Sequence, residues 1–511
     1  MANSLLGLAF FMVFARMVSK AEMGVYGAAL LVLGLLGIIG NLGLSYAASR
    51  FPPFYAGRSD VGNVLASCKR ILLLTLFSSI AVFTASYFLS GVFSLWLLGD
   101  LDYVPLFEVV ALTASVGVMG LTFDGLLRGL HRYSDLAVYR LSSQVLRVAV
   151  SIGLLLIGYG VLAVFIGWIS FHVLLIVLAG FLTARTLLKM KRDSLGDPRA
   201  VDGQQVSLKP LFAFSLPMMV FQLVTYLSNS IDQYVVLGYL GVRSLGVYTV
   251  VLTASSAVIL VLMTPLISTL VPGMSERYGG MGVEGLQGLF KASSRYVALI
   301  FVPACVGFAA LSPLILRVLA GSSYVEAALP LAIVAVGVGV YGFSAVLLSS
   351  LTALGRTLRV AVAVLLASLV EFVACLLLVP LFGVVGAALG KALMYVAMLG
   401  LLAVLSSRFM DVSVDREALV KSVAASVIMA LAVFYTAWLT GYRLLLLPLY
   451  VVLGALIYFV AVGLLRALTP ADARFFRKVL PRGPQVFEWL SRVARRSLAR
   501  RILYWVVEDW R

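Results

Sequence analysis

The chain has 511 residues, of which 62% are hydrophobic and only 12% are charged, and its mean hydropathy is +1.07. This composition excludes a cytosolic enzyme, a disordered chain and a secreted disulfide-bonded domain, because no water-soluble fold can bury so much apolar surface. The net charge of +17 indicates basic loops beside anionic lipid headgroups rather than a nucleic-acid partner.

Fourteen apolar segments near the ~20 residues that cross a bilayer predict an all-α polytopic membrane protein. In chain order they cover 3–18, 24–47, 71–98, 104–126, 141–158, 161–183, 211–239, 246–271, 296–316, 328–353, 360–379, 383–406, 421–440 and 444–465. The longest connection, about 186–209, is rich in charged residues, Gly and Pro, and we interpret it as a linker between two halves.

The distribution of Lys and Arg predicts the orientation. The loops after the even-numbered spans hold 21 basic residues when Lys421, at the first position of the thirteenth span, is included, whereas those after the odd-numbered spans up to the thirteenth hold four. Since cytoplasmic loops carry the excess of Lys and Arg, we expect a multi-pass protein of the plasma membrane with both termini in the cytoplasm. A missed span would scramble this alternation, so the bias also supports the count of fourteen.

The two halves repeat each other at a nearly constant offset in residue number, between 222 and 224. The matching pairs are Gly24-Val25-Tyr26 with Gly246-Val247-Tyr248, Leu127–Arg132 with Leu351–Arg356, and Gly160-Val161 with Gly383-Val384. An even number of spans in each half keeps the two halves parallel, which is a transporter plan. We therefore predict an N-terminal six-helix lobe (1–188), a cytoplasmic linker (189–210), a C-terminal six-helix lobe (211–410), two peripheral helices (411–466) and a basic amphipathic tail (467–511).

Several motifs resemble those of one transporter family. They are Arg16–Tyr26, Pro217 with Asn229-Ser230-Ile231-Asp232, Gly238–Gly241, Leu270–Glu276, Gly321–Ala328 and Pro380–Ala388. Over about residues 1–405 the chain resembles polysaccharide flippases of the multidrug/oligosaccharidyl-lipid/polysaccharide superfamily. The resemblance implies alternating-access movement of polyprenyl-diphosphate oligosaccharides from the cytoplasmic to the outer leaflet.

Ionisable residues inside the spans are the candidate functional residues, because each costs several kcal/mol at mid-bilayer and should face the protein interior. Arg147, Lys391 and Arg16 are the candidates for holding a substrate diphosphate, since cations, and the arginine fork above all, suit phosphate. Glu371 and Asp232 are the candidates for carrying H⁺ or Na⁺. Static ion pairing between helices is the alternative for all five.

The repeat relates two of these candidates to each other. Under the offset of 224, Arg147 and Glu371 occupy equivalent positions, so one half offers a cation where the other offers an anion. Glu108 and His172 are weaker candidates within spans four and six. Tyr226, Tyr234, Tyr341 and Trp168 could stack on sugars or simply pack.

Other functions remain open at this point. A cation-coupled multidrug exporter of the same superfamily would share the fold, and a non-transporting scaffold would gain nothing from buried charges. A membrane glycosyltransferase would need external carboxylates such as Asp100 and Asp102, but a solvated loop turn is the preferred interpretation of that pair. We expect a transporter without enzyme activity. With only two His in the chain, we expect no His-based metal site. We expect no nucleotide cofactor, because the GxGxxG segments at 280–285 and 337–342 lack a preceding strand.

The tail 467–511 combines several arginines on one side of a predicted helix with apolar residues and Trp489 on the other. This pattern predicts an amphipathic helix on anionic headgroups of the cytoplasmic leaflet. A disordered tail, or docking onto a cytoplasmic glycosyltransferase, are the alternatives.

Overall fold

The computed structural model describes residues 2–193 and 208–465, and over those two ranges it consists of helices without a β-strand. The first eight are α1 (Ala2–Met17), α2 (Lys20–Asn41), α3 (Leu44–Ala56), α4 (Val61–Phe88), α5 (Ser90–Leu98), α6 (Val104–Gly129), α7 (Tyr133–Ile157) and α8 (Leu162–Asp193). The next nine are α9 (Leu208–Val258), α10 (Thr264–Tyr296), α11 (Val302–Ala310), α12 (Ser312–Ala320), α13 (Ala328–Ala353), α14 (Thr357–Phe382), α15 (Val384–Ser406), α16 (Arg416–Leu439) and α17 (Leu447–Leu464). The predicted amphipathic tail and the middle of the predicted linker lie outside the described residues.

Within residues 2–193 and 208–465, eleven helical segments are long and apolar enough to cross a membrane. One of them, Leu208–Ala310, is a helical run of 103 residues that holds three of the predicted spans, and Asn3–Met17 is an apolar helix shorter than a full span. If the long run is counted as three spans and the short helix as one, the total is the fourteen predicted spans. The chain is therefore a multi-pass, all-α membrane protein, as its composition predicts.

Local sequence explains where these helices begin and bend. At the start of α2, Ser19 and Glu22 form a reciprocal capping box, with Glu22 Oε2 accepting from the Ser19 amide at 2.8 Å. The long helix α9 is kinked at Gly241, whose φ of 76° and ψ of −177° lie outside the helical region. This kink separates the seventh predicted span from the eighth.

Helices α2 and α9 approach each other closely at the two glycines of the repeated Gly-Val-Tyr motif. A Cβ added to Gly24 would overlap the carbonyl oxygen of Val242, and one added to Gly246 would overlap that of Lys20. Val242 and Lys20 are separated by the same offset as the two glycines. Exchanging each residue for its repeat equivalent therefore turns the Gly24–Val242 contact into the Gly246–Lys20 contact. Small residues allow such close helix crossings in membranes, and here they create a local two-fold relation between the second and eighth spans.

The chain divides into two compact units. The first contains the described residues of Met1–Val251 with Leu319–Gly321 and Glu371–Gly390, and the second contains the remainder. A core of the first unit includes Leu44, Ile71, Leu126 and Leu127, all fully buried, and a core of the second joins Leu314, Ala425 and Ala437. The boundary between the units falls within α9, α12, α14 and α15 rather than at the predicted linker. The assignment of residues to two six-helix lobes stays a prediction.

Candidate functional site

Arg147 lies on the inner side of α7 and is only 7% exposed. Its guanidinium carbon lies 3.7 Å from the ring centroid of Trp168 on α8 and 5.4 Å from that of Phe10 on α1. Its Nη1 donates to Gln144 Oε1 at 3.4 Å. No carboxylate of residues 2–193 or 208–465 pairs with it, so aromatic faces hold this buried charge instead of a counter-ion.

Further polar atoms around Arg147 are buried without a hydrogen-bond partner among the described residues. They are Arg147 Nε, Trp168 Nε1, His172 Nδ1, Ser143 Oγ and Ser151 Oγ. The His172 ring stacks on Trp168 with centroids 5.8 Å apart. Because buried polar groups are normally hydrogen-bonded, such a group of orphaned atoms calls for an explanation. The N–H donors of this group and the positive charge of Arg147 are suited to binding an oxyanion.

Asp232 and Glu371 are brought together around the hydroxyl of Tyr248. Asp232 is fully buried on α9; its Oδ2 accepts from the Tyr248 hydroxyl at 2.6 Å and its Oδ1 from the Gln233 amide at 2.9 Å. Glu371 is fully buried on α14, and Tyr248 interacts electrostatically with both carboxyl groups. Within the first unit, two buried carboxyl groups thus interact with one tyrosine hydroxyl.

The surroundings of Arg147 and Glu371 match each other. A Cβ added to Gly167 would overlap Ser151 Oγ and lie 3.0 Å from the Arg147 carbonyl oxygen. One added to Gly390 would overlap Cys375 Sγ and lie 3.6 Å from the Glu371 carbonyl oxygen. These residues are related by the offsets 223 and 224, so α8 packs on α7 as α15 packs on α14.

Tyr26 and Tyr248 extend the same correspondence. Tyr26 interacts electrostatically with Arg147, as Tyr248 does with Glu371, and the two tyrosines occupy equivalent positions of the repeat. Each half thus places the tyrosine of its Gly-Val-Tyr motif beside its buried ionisable residue. The sequence analysis applies the offset to this motif and, separately, to Arg147 and Glu371, but it does not connect each tyrosine with the ionisable residue of its half, because that contact depends on helix packing.

The other candidates have different surroundings. Lys391 is 5% exposed and follows Gly390 directly on α15. Arg16 lies exposed in the last turn of α1, six residues beyond Phe10 and therefore about 9 Å further along the helix. The roles of both stay predictions.

Several of the other polar and aromatic candidates already make contacts within the protein. The Tyr226 hydroxyl donates to the Leu31 carbonyl at 2.6 Å, and the Tyr341 ring lies 5.4 Å from that of Tyr395. Asp100 Oδ1 accepts from the Asp102 amide at 3.0 Å, which is the arrangement of a capped turn.

An apolar cavity of about 500 Å³ lies in the second unit, between α10, α11, α13, α15 and α16. Its lining includes Phe290 and Phe343 and contains none of the predicted site residues. No motif in the sequence points to it, because its walls come from five helices and the segment between α15 and α16.

The fold is that of transporters of the MOP superfamily. The structure of a lipid II flippase, MurJ, in an inward closed conformation matches 94% of this chain and 98% of its own, with 16% identity and a TM-score of 0.68. An inward-facing multidrug resistance MATE family transporter matches 80% of this chain and 94% of its own, with 17% identity and a TM-score of 0.64. A MOP superfamily transporter from Pyrococcus furiosus matches 80% and 92%, with 14% identity and a TM-score of 0.58.

The family follows from the sequence itself. The profile of the family described as "polysaccharide biosynthesis protein" matches residues 13–329, which is more than half of the chain. The chain belongs to this polysaccharide biosynthesis protein family, as its motifs indicate. No curated protein sequence matches it significantly.

Proposed function

We propose that this protein moves polyprenyl-diphosphate oligosaccharides from the cytoplasmic to the outer leaflet by alternating access, as a transporter rather than an enzyme. The observation that carries this function is Arg147, a buried cation held between Phe10 and Trp168 with no carboxylate partner in the described chain. A site for cationic drugs would instead need an unneutralised anion at this place. Family membership and the MOP-type fold support the same function.

Arg147 is the residue that binds the diphosphate, because its fork can form two parallel hydrogen bonds to phosphate oxygens. In the present conformation Phe10 of α1 covers the guanidinium. Movement of α1 away from α7 would expose it, so we assign α1 as the element that opens the site. Lys391 and Arg16 are the further cations assigned to the substrate.

The Asp232–Tyr248–Glu371 cluster is the ion-coupling site, taking up H⁺ or Na⁺. The Tyr248 hydroxyl and the Gln233 amide both donate to Asp232, so both of its carboxylate oxygens are engaged as acceptors. Glu371 is therefore the group whose charge is exchanged. It is fully buried on α14 and interacts electrostatically with the same tyrosine.

The orientation follows the basic loops, with both termini in the cytoplasm. The lobes are 1–188 and 211–410, related by a two-fold axis along the membrane normal. The reciprocal contact of Gly24 and Gly246 supports such an axis, because it repeats itself under the same offset. Helices α16 and α17 then lie outside the paired lobes.

Transport in proteoliposomes tests this function. A fluorescent polyprenyl-diphosphate oligosaccharide is reconstituted with the purified protein, and its appearance in the opposite leaflet is followed by dithionite quenching, with and without an imposed H⁺ or Na⁺ gradient. We expect protein-dependent transfer of this lipid and none of a lipophilic cationic drug. Transfer of the drug alone would favour the multidrug exporter, and elongation of the sugar from an added donor would favour a glycosyltransferase.

A further inference from the structure

Three charged side chains meet where α6 leads into α7. Asp124 on α6 is 2% exposed, and its Oδ1 accepts from Arg140 Nε on α7 at 2.6 Å. Arg140 Nη2 lies 2.5 Å from the same oxygen, while Asp124 Oδ2 forms an ion pair with Arg128 on α6. One buried carboxylate thus fixes two guanidinium groups.

This cluster keeps an excess of positive charge at an accessible place. One carboxylate neutralises one of the two arginines, and 44% of each arginine side chain stays exposed. Each guanidinium has five N–H donors, so several remain for another acceptor. Two arginines held rigidly side by side match the oxygens of a phosphate group.

Packing of the repeat does not require the cluster. Under the offset of 224, the positions of Asp124, Arg128 and Arg140 correspond to 348, 352 and 364, which are Leu, Thr and Val. Helices α13 and α14 therefore form the equivalent junction without ion pairs. Because the second half packs its equivalent junction without these charges, the cluster in the first half is better explained by binding of a ligand than by a need for it in folding.

The cluster is aligned with Arg147. Arg140 and Arg147 are seven residues apart on α7, which places them about 10 Å apart on nearly the same face. Between them lie the buried side chains of Ser143 and Gln144. The inner side of α7 is therefore a polar stripe that runs from its first turns to Arg147, and the α6–α7 junction belongs to the basic loops predicted to be cytoplasmic.

We infer that Arg128 and Arg140, held by Asp124, form a loading site for the diphosphate of the substrate at the cytoplasmic end of α7. The diphosphate binds there first and then moves two turns along α7 to Arg147. This inference rests on the proposed function, since it assigns an entry position to the same substrate.

Binding of polyprenyl diphosphate to the full-length protein in nanodiscs tests the site. The variant D124N/R128Q/R140Q removes the three charges together, so no buried carboxylate is left without its partners. Arg132→Gln is the matched control, because Arg132 lies in the same junction, is 45% exposed and is paired with Asp135. Polyprenol, which has no phosphate, is the ligand control, and inorganic pyrophosphate is the soluble competitor.

We expect the triple variant to weaken polyprenyl diphosphate binding about tenfold, the scale of lost charge-assisted hydrogen bonds, with Arg132→Gln and polyprenol binding unchanged. Displacement by pyrophosphate would show that the loading site also binds soluble phosphate. Failure of pyrophosphate to displace the lipid would show that the site binds only phosphate carried by a membrane lipid. Either result, together with weaker binding by the triple variant, supports the loading site. Unchanged binding by a folded triple variant, or equal loss in Arg132→Gln, would overturn it.

If the triple variant does not fold, R128K/R140K keeps the charges and removes the forks, and it should bind several-fold more weakly. Binding by this variant equal to wild type would also overturn the site. The proposed function fails separately: a wild-type protein that binds polyprenyl diphosphate through these arginines but transfers no lipid-linked oligosaccharide contradicts the function and leaves the site intact.

Discussion

Gly24 and Gly246 each pack against the backbone of the helix that carries the other. The position of an added Cβ on either glycine is occupied by a carbonyl oxygen, from Val242 in one case and Lys20 in the other. The Gly-Val-Tyr repeat in the sequence is thus also a reciprocal contact between α2 and α9. The two halves of the chain meet here through their equivalent residues.

Gly24→Ala should therefore destabilise the protein by about 1–3 kcal/mol, because the new methyl group forces the two backbones apart. Gly246→Ala should do the same. Gly37→Ala in α2 is the control, since nothing lies within 4 Å of a Cβ added there, and it should be neutral or slightly stabilising. Thermal unfolding in detergent measures all three; equal melting temperatures for Gly24→Ala and Gly37→Ala would mean that the close approach is not real.

Tyr248→Phe should destabilise the fold by about 1–3 kcal/mol, because the mutation leaves the buried Asp232 carboxylate without its hydroxyl donor. Tyr26→Phe is the same change at the equivalent position, where no hydroxyl hydrogen bond to a described residue is found, and it should cost much less. Chemical or thermal denaturation of the two variants gives the comparison. Similar losses from both would show that the Asp232 bond is unimportant.

Glu371→Gln should uncouple transport from the ion gradient more completely than Asp232→Asn. Glutamine retains the shape of the side chain but cannot exchange a charge, whereas Asp232 serves mainly as a fixed acceptor for Tyr248 and the Gln233 amide. The measurement is the rate of lipid transfer with and without an imposed H⁺ or Na⁺ gradient. A Glu371→Gln protein that still responds to the gradient as wild type does would refute this assignment.

Asp415 provides a pH dependence outside the spans. The Ala418 amide donates to it and Arg295 forms an ion pair with it, and together they lower its pKa below the usual value. Because the folded-state pKa is lowered, its contribution to stability is present above about pH 4 and is lost as the pH falls through the folded-state value. Asp415→Ala should cost about 1 kcal/mol at pH 7, the size of a lost helix cap.

The same mutation should cost progressively less as the pH is lowered below 4. Melting temperatures of wild type and Asp415→Ala across pH 3 to 7 measure this difference. A gap that stayed constant over that interval would exclude an ionised Asp415 as the stabilising group.

The helical architecture could be predicted because hydropathy alone determines which segments cross the bilayer. The burial of Arg147, Asp232, Glu371 and Lys391 agrees with the expectation that a charge within a span faces the protein interior. For Arg16 the expectation is wrong, because this residue lies exposed in the last turn of α1. Their neighbours are harder to predict. Tyr248 reaches Asp232 only because α9 bends at Gly241, and no periodicity in the sequence specifies that bend.

Partners on different helices are missed for a related reason. Trp168 is a sequence candidate for stacking on sugars, but its contact with Arg147 depends on the packing of α8 on α7 through Gly167. The Asp124 cluster lies at a loop whose basic residues are already explained by orientation, so composition gives no reason to single it out. The repeat offset is the one sequence signal that relates such residues across distant positions.

The most direct test of the central claim is lipid transfer by Arg147→Gln. This variant removes the cation that lies over Trp168, while Arg243→Gln removes an arginine from an exposed position as the control. We predict that Arg147→Gln lowers the transfer of a polyprenyl-diphosphate oligosaccharide at least tenfold, since a hydrogen bond to a charged group contributes about 1.5–3 kcal/mol, with folding and the control unaffected. Wild-type transfer rates by a folded Arg147→Gln protein would contradict the assignment of Arg147 to the substrate diphosphate.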